Sequence, residues 1–191
     1  MRVRLANAVA DAIERQAWLS PTMDVLDFGC GTGLLTLALQ PKVRRVTGAD
    51  TSSGMLGELE RKVREQALAS VTTLLLRPGA GYALAGEYDL IVSSMTLHHV
   101  ADLAPLFARF REHLRPGGRV ALADLDAEDG TFHAPEVTDV FHLGFDRATL
   151  TALLAQAGFD ELADTTAFVH RRYDRDYPVF LVGGRVRGTR P

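Results

Sequence analysis

The chain has 191 residues, of which 47% are hydrophobic and 24% are charged, as expected for one globular domain rather than a disordered chain. Its formal charge of -3 at pH 7 gives no long-range attraction to nucleic acid or to an anionic membrane, so we expect neither as a partner. A single cysteine excludes an internal disulfide, as is typical of proteins from a reducing compartment. Acidic residues interrupt the apolar stretch near the N-terminus, so we expect no signal peptide, and no apolar run is long enough to span a membrane. We therefore predict a cytoplasmic protein.

The first half of the chain predicts alternating helices and strands. Apolar residues at helical spacing indicate an amphipathic N-terminal helix within residues 1–20. A buried strand over Met23–Phe28, a helix over Thr32–Leu39, a strand over Val43–Ala49 and a helix capped by Ser52 or Ser53 follow in order.

The second half continues the alternation. Strands are predicted over Val71–Leu76, Tyr88–Ser93 and Arg119–Asp124, and near Thr165–Arg172 and Val179–Val186. A helix is predicted over Leu103–Leu114, and another runs from its cap at Asp146 to Ala157, where Gly158 ends it. Such regular alternation predicts one α/β domain over residues 1–191, with a mainly parallel sheet covered by helices on both faces.

A long polar segment, Leu125–Gly144, interrupts this pattern after the predicted strand that ends at Asp124. Ligands bind at the carboxyl edge of open α/β sheets, and long connections there are often functional. We therefore predict a lid over the active site, with an ordinary surface insertion as the alternative.

Three glycines, Gly29, Gly31 and Gly33, lie between the first predicted strand and the first helix of the sheet. Such a turn lets backbone amides and a helix N-terminus approach a ligand closely. The dinucleotide fingerprint has its third glycine one residue later, and a P-loop ends in Lys followed by Ser or Thr. Neither pattern fits, so an NAD-dependent oxidoreductase is disfavoured.

Two acidic residues indicate the kind of ligand. Asp27 directly precedes the turn, where a carboxylate would oppose a pyrophosphate but suits a cationic group such as an ammonium. Asp50 ends the second strand, where an acid can accept hydrogen bonds from ribose hydroxyls. Together they predict a ligand with a ribose and a positive group near the turn.

Four stretches carry a family resemblance: Val25–Gly33, Val46–Leu56, Tyr88–Val100 and Leu114–Gly118. They resemble motifs of the class I S-adenosylmethionine-dependent methyltransferases, particularly the small single-domain group called type 11. The resemblance implies a doubly wound, Rossmann-like seven-stranded sheet in the order 3-2-1-4-5-7-6, with strand 7 antiparallel. It also implies the cofactor S-adenosyl-L-methionine, with S-adenosyl-L-homocysteine as its product.

The same resemblance implies the cofactor site, with the acid at the ribose and the methionine beside the adenine. Its residues here are Asp27, Gly29, Cys30, Gly31, Gly33, Asp50, Thr51, Met55, Gly79, Ala80, Ser93 and Ser94. Many relatives carry an acid after the third strand that binds the adenine amino group, but residues 77–81 contain none. Either backbone at Gly79 and Ala80 contacts the adenine, or the adenine site is weakened.

The catalytic candidates are His98 and Asp124, which follow or end the fourth and fifth predicted strands. Histidine titrates near neutral pH, so His98 is a candidate general base, although the His98–His99 pair can equally form a wall of the cofactor pocket. Asp124 is the acid best placed for substrate contact. Acids and histidines of the following segment, including His133, match no compact metal motif, and we predict no metal ligands.

Other side chains near the predicted site have more ordinary interpretations. Tyr82, Phe132, Phe141 and Phe145 either form an aromatic wall for the acceptor or pack the lid onto the domain. Cys30 has no evident base beside it, so we do not expect a nucleophile.

The predicted function is methyl transfer from S-adenosylmethionine to a small-molecule acceptor. The short N-terminal helix and the lack of a large insertion leave little protein for gripping a macromolecule. The alternative is a non-catalytic module that binds the same cofactor as a sensor or scaffold, which the missing acid after the third strand supports.

Overall fold

The computed structural model describes residues 2–77, 82–133, 137–172 and 174–187. Its strands are β1 (Asp24–Phe28), β2 (Arg45–Asp50), β3 (Val71–Leu75), β4 (Tyr88–Ser94), β5 (Leu114–Leu125), β6 (Phe159–Arg172) and β7 (Arg175–Val186). Its helices are α1 (Arg2–Arg15), α2 (Leu34–Leu39), α3 (Ser53–Glu65), α4 (Leu103–Glu112) and α5 (Arg147–Gln156), with short 3-10 helices over Gln40–Lys42 and Leu97–His99.

All seven strands form one sheet in the order β3-β2-β1-β4-β5-β7-β6. The pairs among β1 to β5 are parallel, whereas β7 runs antiparallel to both β5 and β6. Phe28 of β1 pairs with Ala49 of β2 and with Ser93 of β4, so the carboxyl ends of these three strands lie side by side. The predicted order and the antiparallel seventh strand are confirmed.

The sheet has a hydrophobic core on each face, because successive strand residues point to opposite sides. In β1, Val25 packs with α1 and α2, while Leu26 packs with the aromatic residues of α4. In β4, Leu90 belongs to the core cluster that contains α1 and α2, and Ile91 belongs to the cluster that contains the aromatic residues of α4. A strand buried on both faces is rich in apolar residues, and the burial predicted for β1 is confirmed.

Every predicted strand and helix is present, and the differences lie at the ends of elements. α2 starts at Leu34 rather than Thr32, since Gly33 has a left-handed φ of 82° that is incompatible with a helix. β6 starts at Phe159 rather than Thr165; only Phe159 is buried in its first half, so no apolar run marks that part of the strand in the sequence. β7 likewise begins earlier than predicted, at Arg175.

Helix caps fix the two helices whose starts were predicted from polar residues. The Ser52 hydroxyl accepts the backbone N–H of Met55 at 3.3 Å, and the Asp146 carboxylate accepts that of Thr149 at 2.8 Å. Gly158 ends α5 with a φ of 93°. Over the ranges given above, no helix combines the length and apolar character needed to cross a membrane.

Candidate active site

A cavity of about 440 Å³ opens at the carboxyl ends of β1 and β4. The glycine turn after β1 forms one side of it, the first turns of α1 another, and the histidine segment after β4 a third. Its lining residues are Arg2, Leu5, Ala6, Asp27, Gly29, Cys30, Gly31, Thr32, Leu34, Leu35, Met55, Ser94, Met95, His98, His99, Phe132, His133 and Val137. This is the edge at which parallel α/β sheets bind ligands.

The three glycines of the turn all have positive φ, but they are required for different reasons. A Cβ on Gly29 would lie 2.2 Å from the Thr96 side chain, and a Cβ on Gly33 would lie 2.3 Å from Leu59. Those two glycines therefore allow close packing of protein against protein. No described residue beyond its chain neighbours lies within 4 Å of the Cβ position of Gly31, which lines the cavity, so it is the glycine of the turn that leaves room for a ligand.

Asp27 is a buried carboxylate in the cavity wall. Its Oδ2 accepts a hydrogen bond from the Thr36 hydroxyl at 2.6 Å. Burial raises the pKa of Asp27 to about 6, and the nearby carboxylate of Asp50 acts in the same direction. A cationic ligand group at this position would offset the cost of burying the charge.

Asp50, at the end of β2, holds the glycine turn against the start of α3. Its Oδ2 accepts the backbone N–H of Gly31, and its Oδ1 accepts that of Ser52, each at 2.8 Å. Each carboxylate oxygen keeps a lone pair for another donor. Thr51 beside it is exposed, and Met55 in the first turn of α3 lines the cavity with 43% of its surface exposed.

The remaining predicted cofactor residues differ in position. Ser93 is buried and donates its hydroxyl hydrogen to the Phe28 carbonyl at 2.9 Å, which ties β4 to β1, while Ser94 lines the cavity. Cys30 also lines it, and burial raises the pKa of its thiol, an environment that disfavours a nucleophilic thiolate. Gly79 and Ala80 lie outside the described residues.

His98 and Asp124, predicted from separate strands, are hydrogen-bonded to each other. Nδ1 of His98 lies 2.7 Å from Oδ1 of Asp124, and both side chains are buried. Asp124 also accepts the backbone N–H groups of His98 at 3.3 Å and of Leu125 at 2.8 Å. Because a carboxylate only accepts, we assign the proton to Nδ1 and the lone pair to Nε2. His98 lines the cavity, and Asp124 lies behind it.

Two more histidines join His98 at the cavity. Its ring centroid lies 4.2 Å from that of His99 and 4.8 Å from that of His133. Nδ1 of His99 is 2.8 Å from the Asp139 carbonyl oxygen, whereas Nδ1 of His133 is buried without a hydrogen-bond partner in the part of the chain that the structure describes. Burial lowers the pKa of His133, and His98 and His99 lower it further.

The predicted lid segment, residues 125–144, runs over this edge of the sheet where it is described. The backbone N–H groups of Phe141 and His142 both donate to the His98 carbonyl, at 2.9 and 3.2 Å. Phe132 lines the cavity and packs edge-on against Tyr177, with ring centroids 5.3 Å apart.

The other candidate wall aromatics are placed differently. Tyr82 packs on Phe28, Phe145 packs on Phe180, and Phe141 is exposed.

Two features of the cavity have no counterpart among the predicted site residues. Arg2, Leu5 and Ala6 of α1 form part of the wall, although their only sequence signal is the amphipathic pattern of that helix. Met95, directly after β4, also lines the cavity and has a left-handed φ of 56°. Strained backbone of this kind is concentrated at functional sites.

Residues 1–163 match the family described as methyltransferase domain. The chain belongs to this methyltransferase family. This match and the observed sheet order confirm the predicted resemblance to the class I S-adenosylmethionine-dependent methyltransferases.

Curated relatives of this methyltransferase domain match over part of their length. An uncharacterized methyltransferase of Schizosaccharomyces pombe is 36% identical over 123 residues, which are 61% of this chain and 43% of that protein. A trans-aconitate 2-methyltransferase of Deinococcus radiodurans is 38% identical over 104 residues, 53% of this chain and 38% of that protein. The chain spans less than half the length of both relatives.

Solved structures show the same fold. Phosphoethanolamine N-methyltransferase 2 of Haemonchus contortus, in complex with phosphomonomethylethanolamine and S-adenosylhomocysteine, superposes with a TM-score of 0.75. The two chains are 17% identical over a match that covers 94% of this chain and 52% of the other. At this identity the likeness concerns the fold of the methyltransferase domain.

Proposed function

We propose that this chain is an S-adenosylmethionine-dependent methyltransferase that acts on a small-molecule acceptor. The main support is that Asp27 and Gly31 of the glycine turn line the same cavity as His98. The His98 ring is in turn hydrogen-bonded to Asp124. A trans-aconitate methyltransferase and a phosphoethanolamine methyltransferase among its relatives and structural neighbours are named for small acceptors, which supports a small acceptor here.

The residues of the turn fit the chemistry of this cofactor. Burial raises the pKa of the Asp27 carboxyl, and a cationic group beside it, such as the ammonium group of the cofactor, would stabilise its ionised form. Gly31 leaves open space beside the cavity, and Asp50 at the end of β2 has lone pairs for ribose hydroxyls. We propose that these residues, with Met55 toward the adenine, hold S-adenosylmethionine, which when bound supplies a methyl group on a positively charged sulfur.

His98 is the proposed proton acceptor. Its Nε2 lone pair can take the proton of an acceptor hydroxyl or amine, and the carboxylate of Asp124 then stabilises the imidazolium that results. Such general base catalysis contributes roughly 10²- to 10⁴-fold. Asp124 does not line the cavity and acts through His98 as a positioning residue.

Orientation and exclusion of water are the other contributions of the chain. Leu5, Phe132 and Val137 give the acceptor side an apolar wall that narrows the space for solvent. Holding an acceptor in line with the reactive carbon is worth on the order of 7 to 11 kcal/mol in well-oriented systems.

The lid role of residues 125–144 is part of the proposal, as is one domain over residues 1–191. We also propose a cytoplasmic location, because the single cysteine suits a reducing compartment.

Binding and transfer assays test the proposal together. We expect titration calorimetry to show one S-adenosylhomocysteine bound per chain, and isotope-labelled S-adenosylmethionine to methylate a member of a panel of small hydroxyl, carboxyl and amine compounds. The absence of binding at millimolar ligand would overturn the proposal. Tight binding without transfer to any acceptor would instead favour the non-catalytic binding module.

A further inference from the structure

We propose that His98, His99 and His133 form a binding site for a divalent transition-metal ion such as Zn²⁺ at the acceptor side of the cavity. One ring nitrogen from each of the three residues lies within 4.8 Å of the others. This inference does not depend on the binding of S-adenosylmethionine. The sequence spacing, two adjacent histidines and a third far along the chain, matches no compact metal motif, and only the path of the lid segment brings them together.

The spacing of the three rings is close to what a metal requires. Zinc–nitrogen bonds of about 2.0–2.1 Å place tetrahedral ligand atoms about 3.4 Å apart, so each nitrogen–nitrogen distance must shorten by up to about 1.4 Å. His133 can supply this movement, since its buried Nδ1 makes no hydrogen bond to any described residue. The ring centroids of His99 and His133, 6.0 Å apart, are the most distant pair of the three.

The tautomers of two ligands are already set. Nδ1 of His98 lies beside the Asp124 carboxylate and Nδ1 of His99 beside the Asp139 carbonyl, and both partners are acceptors. Each Nδ1 therefore carries the proton, and each Nε2 keeps the lone pair that a metal uses. A carboxylate or carbonyl behind a ligating histidine is the usual arrangement at metal sites, where it fixes the ring and makes its nitrogen more basic.

Charge at the cluster also favours a cation. The fully buried carboxylate of Asp124 touches one of the three histidines. The Glu128 carboxylate accepts the backbone N–H of Phe132 through Oε2, while its Oε1 is buried with no partner among the described residues. Both carboxylates act on the pKa of His133, and a divalent ion at the histidine cluster would compensate their buried charge.

The donor set indicates the class of ion and the consequence for the acceptor. Imidazole nitrogens suit zinc, copper, iron and nickel, whereas magnesium and calcium prefer oxygen ligands. Three protein ligands leave a fourth position for an oxygen atom of water or of an acceptor, as in catalytic zinc sites. While the ion is bound, the Nε2 lone pair of His98 is occupied, and the ion rather than His98 would acidify a coordinated hydroxyl.

Metal titrations of the full chain, with no added histidine tag, test the site. We expect one Zn²⁺ per chain by calorimetry, and with Co²⁺ the intense visible absorption of a four-coordinate site. His133→Gln should weaken Zn²⁺ binding by at least 10-fold and abolish the cobalt bands. Asp124→Asn should weaken binding by about 10- to 100-fold through loss of the partner behind His98.

The matched control is His113→Gln, which alters a histidine at the end of α4 whose Nδ1 lies beside the Gly86 carbonyl, away from the cavity wall. This variant should bind Zn²⁺ like the unaltered chain, and circular dichroism should show every variant folded. The proposal is overturned if the unaltered chain shows no saturable Zn²⁺ binding, or if His133→Gln binds as tightly as the His113→Gln control. S-adenosylhomocysteine binding, measured on the same samples, is independent of either result and reports on the proposed function separately.

Discussion

Nδ1 of His98 lies 2.7 Å from Oδ1 of Asp124, so a hydrogen bond joins the 3-10 turn after β4 to the end of β5. The pair directs the Nε2 lone pair of His98 away from the carboxylate, on a ring that lines the cavity. It is the arrangement a general base requires, because the carboxylate fixes the tautomer and stabilises the protonated ring.

Replacing His98 by Gln should lower kcat by about 10²- to 10⁴-fold, because the proton acceptor is lost while the cavity keeps its shape. S-adenosylhomocysteine affinity measured by calorimetry should stay within about threefold, since the ring lies on the acceptor side. His113→Gln is the matched control and should leave kcat unchanged. An unchanged kcat in the His98 variant would exclude the base role.

Asp50→Asn should weaken S-adenosylhomocysteine binding by about 10- to 100-fold, on the scale of a lost charge-assisted hydrogen bond. The amide keeps one acceptor oxygen, so the two backbone bonds to Gly31 and Ser52 cannot both be kept. Asp102→Asn, which alters the cap of α4 away from the cavity, is the comparison and should bind normally. Equal affinities in the two variants would argue against Asp50 as a ligand contact.

Three glycine variants separate packing from ligand space. Gly29→Ala places a methyl group 2.2 Å from Thr96 and should destabilise the fold by about 1–3 kcal/mol or more, measured by urea unfolding. Gly31→Ala should destabilise the free protein only through backbone strain at its positive φ. It should weaken S-adenosylhomocysteine binding, because the added methyl group enters the cavity.

Gly57→Ala is the control, because Gly57 lies in α3 and its Cβ position has no neighbour within 4 Å in the ranges that the structure covers. The variant should stabilise the chain by up to about 1 kcal/mol. If Gly31→Ala bound the ligand as well as Gly57→Ala, the proposed position of the cofactor beside the turn would be wrong.

Asp27 should make ligand binding pH-dependent. Its pKa of about 6 in the free protein means that the carboxyl is protonated below pH 6, and a cationic ligand group favours the ionised form. S-adenosylhomocysteine affinity should therefore fall as pH decreases through 6, by up to about 10-fold per pH unit. Asp27→Asn should bind more weakly at pH 7, and its affinity should change less between pH 7 and pH 5. A pH profile identical in both proteins would contradict the assignment.

The sequence predicted those features that depend on local pattern. The ends of β1 and β2 place Asp27 and Asp50 beside the glycine turn, because apolar runs define both strands and parallel strands end at one edge. The hydrogen bond between His98 and Asp124 was not predicted, although the two strands that carry them are neighbours in the predicted order.

Features that depend on the path of an aperiodic segment could not be predicted. Residues 100–132, which include α4 and β5, separate His133 from His99, and no periodicity fixes where the loop before His133 runs. Leu5 belongs to the cavity wall because α1 packs beside the glycine turn, whereas its amphipathic pattern specifies only that one face is buried. The packing role of Gly33 depends on Leu59, which lies in another helix.

A crystal structure with S-adenosylhomocysteine bound is the strictest test of the proposed cofactor site. We expect the ribose hydroxyls within hydrogen-bond distance of Asp50, the ammonium group near Asp27, and the sulfur on the His98 side of the cavity. A ligand bound elsewhere, or one bound here with its ribose away from Asp50 and its sulfur away from His98, would contradict it.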